Sequence, residues 1–238
     1  VQTSPKTVKT YGFAAIVNWV KPLAEAVSVP VALHLDHCKE LEMIRKCIDA
    51  GWSSVMIDAS AQPYETNVAM TAEAVRAAAA RDVTVEGELG MIPGVEDDLS
   101  VQDRASYLAD PAACVKYKEA TGVDVLAPAI GTAHGLYREE PKVDFDRLGE
   151  IARRTEIPLA VHGGTGLAPE VFRRCVASGG AKINISTEIK HVFRAAIESF
   201  YRENPQDYEP TRLVQSLEAA VVKTVGGFMD IFGSVGRG

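Results

Sequence analysis

Six short apolar runs, each followed by a segment with helical spacing, constrain this chain more than any single residue. They are Val31–Asp36, Ser54–Ala59, Val83–Leu89, Val125–Gly131, Leu159–Gly164 and Lys182–Thr187. The runs are nearly continuous rather than alternating, as expected of parallel strands covered on both faces. Val1–Ser4 reads as the tail of one more strand. Between the runs, Leu41, Ile44 and Ile48 share a helical face, and Asp110-Pro111 reads as an N-cap followed by a proline in the first turn. Pro169 opens a helix in the same way and Gly179-Gly180 ends it, while Glu188–Glu203 and Arg212–Phe232 are long enough to wrap the outside. Pro128, inside a strand run, predicts a bulge or an early strand end.

Strand-then-helix order repeated along one chain predicts an α/β fold with a parallel sheet, and a (β/α)8 TIM barrel accommodates it best. An open doubly wound sheet is the alternative, but it gives less reason for chemistry at so many strand ends. A barrel needs eight strands and typically about 250 residues. This chain has 238 residues, shows seven strand candidates and begins with Val. The expectation is one TIM-barrel domain over residues 1–238 that lacks the first strand, its helix and part of the next strand at the N-terminus.

Three of the five histidines, His37, His134 and His162, fall at the ends of these runs. Imidazoles from three separate elements can hold a catalytic zinc and leave a fourth position open. A lone histidine on a strand is more often a packed core residue; three at the same end of a parallel sheet are harder to explain that way, because active sites of barrels lie there. Asp36 precedes His37, so in a regular strand the two side chains oppose each other unless a turn brings both to the mouth. It reads either as a carboxylate orienting a ligand histidine or as a general acid/base. Glu86 and Glu88 share one strand face, where carboxylates are costly unless paired or metal-bound. Glu88, nearer the strand end, is the better functional candidate, and Asp58 is similar. Gly163-Gly164-Thr165 and Asn184-Ile185-Ser186-Thr187 offer backbone N–H groups and hydroxyls after adjacent strands, a pattern suited to phosphate.

Other features mainly exclude. A net charge of −7 and a pI near 5.3, without a basic patch, argue against nucleic acid and anionic membrane as partners. No run reaches membrane-spanning length, and no signal-peptide pattern opens the chain. Cys38, Cys47, Cys114 and Cys175 form no CxxC pair, which fits a reduced, cytoplasmic setting. Gly90–Ser106 is a long polar loop rich in acids, of the kind that often forms an active-site lid.

Together these segments resemble the class II, zinc-dependent ketose-bisphosphate aldolases. The likeness is carried by Pro30-Val31-Ala32-Leu33-His34-Leu35-Asp36-His37, Ser54-Val55-Met56-Ile57-Asp58, Glu86-Gly87-Glu88-Leu89-Gly90, Gly94-Val95-Glu96-Asp97-Asp98, Ala129-Ile130-Gly131-Thr132-Ala133-His134-Gly135-Leu136-Tyr137, His162-Gly163-Gly164-Thr165-Gly166 and Lys182-Ile183-Asn184-Ile185-Ser186-Thr187-Glu188. The resemblance implies zinc on His37, His134 and His162, with Glu88 and Asp58 at an alternate metal position. It implies Asp36 as the acid/base at the C4 oxygen and Glu96, in the acidic loop, as the carboxylate exchanging the C3 proton. Ser4, Gly135, Gly163, Gly164, Thr165, Asn184, Ile185, Ser186 and Thr187 would contact a small phosphorylated sugar, with a monovalent cation (Na+ or K+) assisting the phosphate site. A homodimer or homotetramer is also implied.

Two residues depart from the family pattern: Cys38 replaces a frequent glycine, and Pro93 replaces a usual glycine at the base of the acidic loop. Ser186 stands where one fructose-specific branch has Asp. With Gly94–Val101, Ala129–Tyr137 and Gly233–Gly238, it makes the chain look most like the tagatose-1,6-bisphosphate aldolases. Tagatose is therefore the favoured sugar, with fructose 1,6-bisphosphate and a phosphorylated deoxy-ketogluconate as alternatives. A metal-dependent epimerase and a non-catalytic zinc-binding barrel remnant are the readings outside aldol cleavage.

Overall fold

Seven short strands lie side by side in chain order, every neighbouring pair parallel: β1 (Gln2–Thr3), β2 (His34–Cys38), β3 (Ser54–Ile57), β4 (Thr84–Leu89), β5 (Val125–Pro128), β6 (Leu159–Val161) and β7 (Gly180–Ile183). The computed structural model describes residues 1–92, 107–135 and 141–237. Sequential order without a switch point is that of a barrel wall, not of a doubly wound sheet. The sheet is also curled. Lys182 on β7 reaches Glu86 on β4 at 2.8 Å, and Asn184, just past β7, donates to Asp36 on β2 at 3.0 Å. The result is a TIM-barrel-like α/β fold, as the strand and helix pattern predicts.

The helices cover the convex side. Among the described residues they are α1 (Pro5–Tyr11), α2 (Phe13–Glu25), α3 (Leu41–Ala50), α4 (Tyr64–Ala79), α5 (Pro111–Thr121), α6 (Phe145–Thr155), α7 (Pro169–Ala177), α8 (Thr187–Glu203) and α9 (Pro210–Phe232). Local chemistry sets several boundaries. Asp110 caps α5 by accepting from the Ala113 N–H at 2.8 Å, with Pro111 in the first turn. On α3, Met43, Ile44, Cys47 and Ile48 are the buried residues, one face at helical spacing. α9 buries no residue completely, but Phe228 and Phe232 rest on Phe172 of α7, with ring centroids 5.9 and 5.2 Å away.

The strands alternate more than their sequence suggests. Leu35, Val55, Ile57, Val85, Leu126, Leu159 and Val161 point outward into the apolar core beneath the helices. In the register, Met56 lies opposite Glu86, Glu88 opposite Ala127, and Ala160 opposite Lys182. Those residues line the concave side, which apart from Met56 is small or polar. Several strand limits also move: β6 stops at Val161, β7 at Ile183, and Asn184 to Ser186 form the turn into α8, which Thr187 opens. Gly180 opens β7 instead of ending a helix, and β5 ends early at Pro128. No described helix is long and apolar enough to cross a membrane.

Candidate metal centre and active site

The site starts from an irregularity in β2. Register with β3 shifts between Leu35 and Cys38, and His37 sits at φ 48°, in the left-handed region. Such a bulge carries an extra residue and re-aims the side chains around it. Asp36 and His37 consequently line the same pocket, while Cys38 joins the outer core. The turn needed to bring both groups to the mouth is therefore built into the strand.

His37, His134 and His162 converge. His134 comes from the loop after β5 and His162 directly follows β6. Their ring centroids stand 4.7 Å apart for His37 and His134, 4.7 Å for His37 and His162, and 6.0 Å for His134 and His162. His162 Nδ1 approaches His37 Nε2 to 2.8 Å. The opposite nitrogens are held by carboxylates: His37 Nδ1 is 2.9 Å from Asp58 Oδ2, and His162 Nε2 is 2.7 Å from Glu86 Oε1. Carboxylate acceptors favour the proton on those outer nitrogens, which turns two lone pairs toward each other across the gap. Such a contact is favourable only with a cation between the two nitrogens, a proton on His37 or a metal ion in its place. Zn–N bonds of about 2.0–2.1 Å in tetrahedral geometry place such nitrogens roughly 3.3 Å apart, so a small opening of this contact accommodates the ion. The three imidazoles thus fit a divalent metal.

The electrostatics agree. Burial by itself lowers the His37 pKa, but the Asp58 hydrogen bond and the charges of Asp36, Glu88 and Asp58 outweigh it and raise the pKa above the ordinary value. This is a place that welcomes positive charge. Asp58 and Glu86 both have pKa values lowered despite burial, Asp58 mainly by His37, and Glu86 by Lys182, His162 and His34. Glu88 is buried, with Oε2 3.9 Å from His37 Nδ1. It belongs to a second possible metal group, His37, Asp58 and Glu88, which shares one histidine with the first.

Asp36 is held by amides on both carboxylate oxygens. Its Oδ1 accepts from Asn184 Nδ2 at 3.0 Å and its Oδ2 from Gln2 Nε2 at 3.0 Å. Burial raises its pKa, yet His37, His162, Lys182 and His34 prevail and hold it below the usual carboxylate value, so the carboxylate is ionised at neutral pH. The carboxylates that orient His37 and His162 are Asp58 and Glu86.

The pocket beside the histidines is lined by Gly135, Gly163, Gly164, Thr165, Asn184, Ser186 and Thr187. Gly163 has φ 70°, and a Cβ there would stand 2.6 Å from the Ala133 carbonyl oxygen. Only glycine lets the loop after β6 approach the loop that carries His134. Ser186 and Thr187 lie where α8 begins, so first-turn N–H groups add donors suited to an anion. A wider cleft of about 980 Å³, shared along Gln2, Asp36, His37 and Ser186, contains Ser4 and Ile185. Ser4 also caps α1, accepting from the Thr7 N–H at 3.4 Å. Glu96 and Pro93, with most of the acidic loop, lie outside the described residues.

Sequence reasoning missed Gln2 and the supporting roles of His34, Glu86 and Lys182. The signal for Glu86 was present, since a carboxylate facing a barrel interior requires a partner. Gln2 and Lys182 had no such mark, because their relevance depends on which strands face each other across the curl.

The fold and the histidine cluster together define a barrel-wall α/β protein with a candidate metal site at the ends of its strands. The family model for class II fructose-bisphosphate aldolase matches residues 1–237, and the chain belongs to that family. It is 44% identical over 228 residues to a fructose-bisphosphate aldolase of Geobacillus stearothermophilus, covering 95% of this chain and 79% of that protein. Its structure is similar to the YdjI aldolase of Escherichia coli K12, with TM-score 0.85, 30% identity, 99% of this chain and 82% of the other. The fold also matches fructose-bisphosphate aldolase of Campylobacter jejuni, with TM-score 0.83, 23% identity, and 98% and 82% coverage.

Proposed function

We propose that this class II aldolase reversibly cleaves a ketose 1,6-bisphosphate to dihydroxyacetone phosphate and glyceraldehyde 3-phosphate, using zinc held by His37, His134 and His162. The observation that carries the reading is the convergence of the three imidazoles beside an ionised, doubly hydrogen-bonded Asp36. Zinc, when bound, supplies Lewis acidity to the ketose carbonyl and its neighbouring hydroxyl. Gly163, Gly164, Thr165, Asn184, Ser186 and Thr187 receive the phosphate end, with Gly135 at the rim, and a sodium or potassium ion would assist them. Asp36 accepts the C4 hydroxyl proton as the C3–C4 bond breaks. Glu96 then delivers a proton to C3. Glu88 and Asp58 form the alternate metal position. Ser4 and Ile185 border the wider cleft, which takes the rest of the ketose chain. The four free, buried cysteines suit a reducing cytoplasm, and a homodimer or homotetramer completes the reading.

Two sugars compete. Ser186, small and at the phosphate end, favours the tagatose epimer, because an aspartate there could accept a hydrogen bond from the fructose arrangement at C4. The Geobacillus relative is named for fructose bisphosphate, which favours that sugar. A coupled assay of both bisphosphates, on wild type and Ser186→Asp, decides the matter. The tagatose reading expects higher kcat/KM for tagatose 1,6-bisphosphate. It also expects the substitution to move the ratio toward fructose by one to two orders of magnitude, the worth of a charged hydrogen bond of roughly 1.5–3 kcal/mol. A wild-type preference for fructose, unmoved by the substitution, overturns it. Absence of triose phosphates from both sugars overturns the ketose 1,6-bisphosphate reading itself.

A further inference from the structure

The concave face holds one long cationic side chain to which the cleavage steps assign no role. Lys182 projects from β7, its Nζ donating to Glu86 Oε2 at 2.8 Å and standing 3.4 Å from His34 Nε2. His34 Nδ1 lies 2.7 Å from Ser54 Oγ, so a proton on Nδ1 leaves Nε2 as an acceptor for the ammonium. The other oxygen of Glu86, Oε1, meets His162 Nε2 at 2.7 Å, closer than the Asn184 amide nitrogen at 3.2 Å. Across that ring, Nδ1 faces His37. An imidazole can offer a metal only the nitrogen that lacks a proton, and the partner of the opposite nitrogen decides which one that is.

We propose that Lys182 is a positioning residue for the metal centre. By holding Oε2 of Glu86 it keeps Oε1 aimed at His162 Nε2–H and so commits His162 to ligate through Nδ1. This rests on the metal reading given above. The chain runs through three strands: ammonium on β7, carboxylate on β4, imidazole at the end of β6. Glu86 is 1% exposed, so a carboxylate deprived of its cation has almost no water to turn to. Breaking a buried pair from one side is costly, whereas replacing both charges can be nearly neutral.

That asymmetry gives the test. Zinc affinity of the full chain is measured by competition with a chromophoric chelator for wild type, Lys182→Met, Glu86→Gln and the double variant. Lys182→Met should bind zinc about 10–100-fold more weakly. The double variant should regain most of that loss, because the Gln amide oxygen still accepts from His162 Nε2–H and needs no counter-charge. Zinc binding by wild type with equal binding by Lys182→Met overturns the positioning role and leaves the metal reading standing, as does a double variant that loses the product of the two single losses. Failure of wild type to take up zinc overturns both. Should Lys182→Met not fold, nitrogen-15 NMR of histidine-labelled, zinc-loaded wild type decides: a proton on His162 Nε2 supports the assignment, and one on Nδ1 overturns it.

Discussion

The two faces of one sheet obey opposite rules. On the convex face, Leu35, Val55, Ile57, Val85, Leu126, Leu159 and Val161 are essentially inaccessible and pack under helices. Each such side chain contributes roughly 1.5–3 kcal/mol by leaving water. On the concave face the sheet carries His34, Asp36, Glu86, Glu88 and Lys182. Every one of those groups costs free energy to bury and is tolerated only through a partner. Neighbouring residues on one strand, such as Val85 and Glu86, therefore do different work. The outer face holds the fold together, and the inner face uses that rigidity to keep charged groups in place.

The largest effect should come from emptying the inner face. Chelation of zinc should abolish cleavage, and His134→Ala should remove most of the roughly one zinc per chain expected of a single three-histidine site. The midpoint of thermal unfolding should also fall, since a bound ion stabilises the native state by mass action. Metal analysis and thermal melts check this, and full activity in a metal-free preparation would break the contrast.

Next in size is the separation of Asp36, on the inner face, from Glu96 of the acidic loop. Asp36→Asn should suppress carbon–carbon cleavage by about 10²–10⁴-fold while zinc content stays near wild type. Glu96→Gln should instead slow proton exchange at C3 of dihydroxyacetone phosphate. Isotope exchange followed beside cleavage tells them apart; equal effects of both substitutions on both steps would show the roles wrongly divided.

The outer face answers differently. Leu126→Ala, at a fully buried position, should cost about 2–5 kcal/mol and lower Tm by roughly 5–20 °C, with kcat per folded molecule unchanged. A loss of kcat without loss of Tm would mean that the faces are not separable. Tyr117→Phe is a milder version. Its hydroxyl donates to Asn67 Oδ1 at 2.8 Å and lies 2.6 Å from Thr71 Oγ1, so removing it should cost about 1–3 kcal/mol. Since Asn67 also donates to the Glu88 carbonyl at 2.8 Å, a change in zinc affinity here would reveal coupling from the helices to the site.

The smallest signal is chemical. Burial pushes the Cys47 and Cys114 thiols up to about 12 and Cys175 up to about 11. At pH 8 these thiols should be protonated and slow toward a disulfide reagent in the native protein, and all four cysteines should react once it is unfolded. A fast thiol in the native state would show that the outer layer opens.

Much of this was legible in the residues themselves. Strand and helix order, the Asp110-Pro111 start of α5 and the early stop at Pro128 are written in local chemistry. The three histidines were visible because each closes an apolar run. The strand limits were overdrawn because apolar character continues past the last ladder bond, as in Val31–Leu33 before β2. The near-continuous apolar reading also hid the polar concave face, where small residues such as Ala127 and Ala160 make room for large charged ones.

What the sequence determined, then, is the set of elements and the inventory of reactive groups, since periodicity, capping and glycine placement act over a few residues. Only the tertiary structure decided the pairings. The bulge at His37 turned it to the same side as Asp36, the curl brought Lys182 of the seventh strand to Glu86 of the fourth, and Asp58 rather than Asp36 became the hydrogen-bond partner of His37 Nδ1. Such partnerships join residues far apart in the chain. Strand register and curvature set them, and both come from packing the whole outer core rather than from any stretch of sequence read alone.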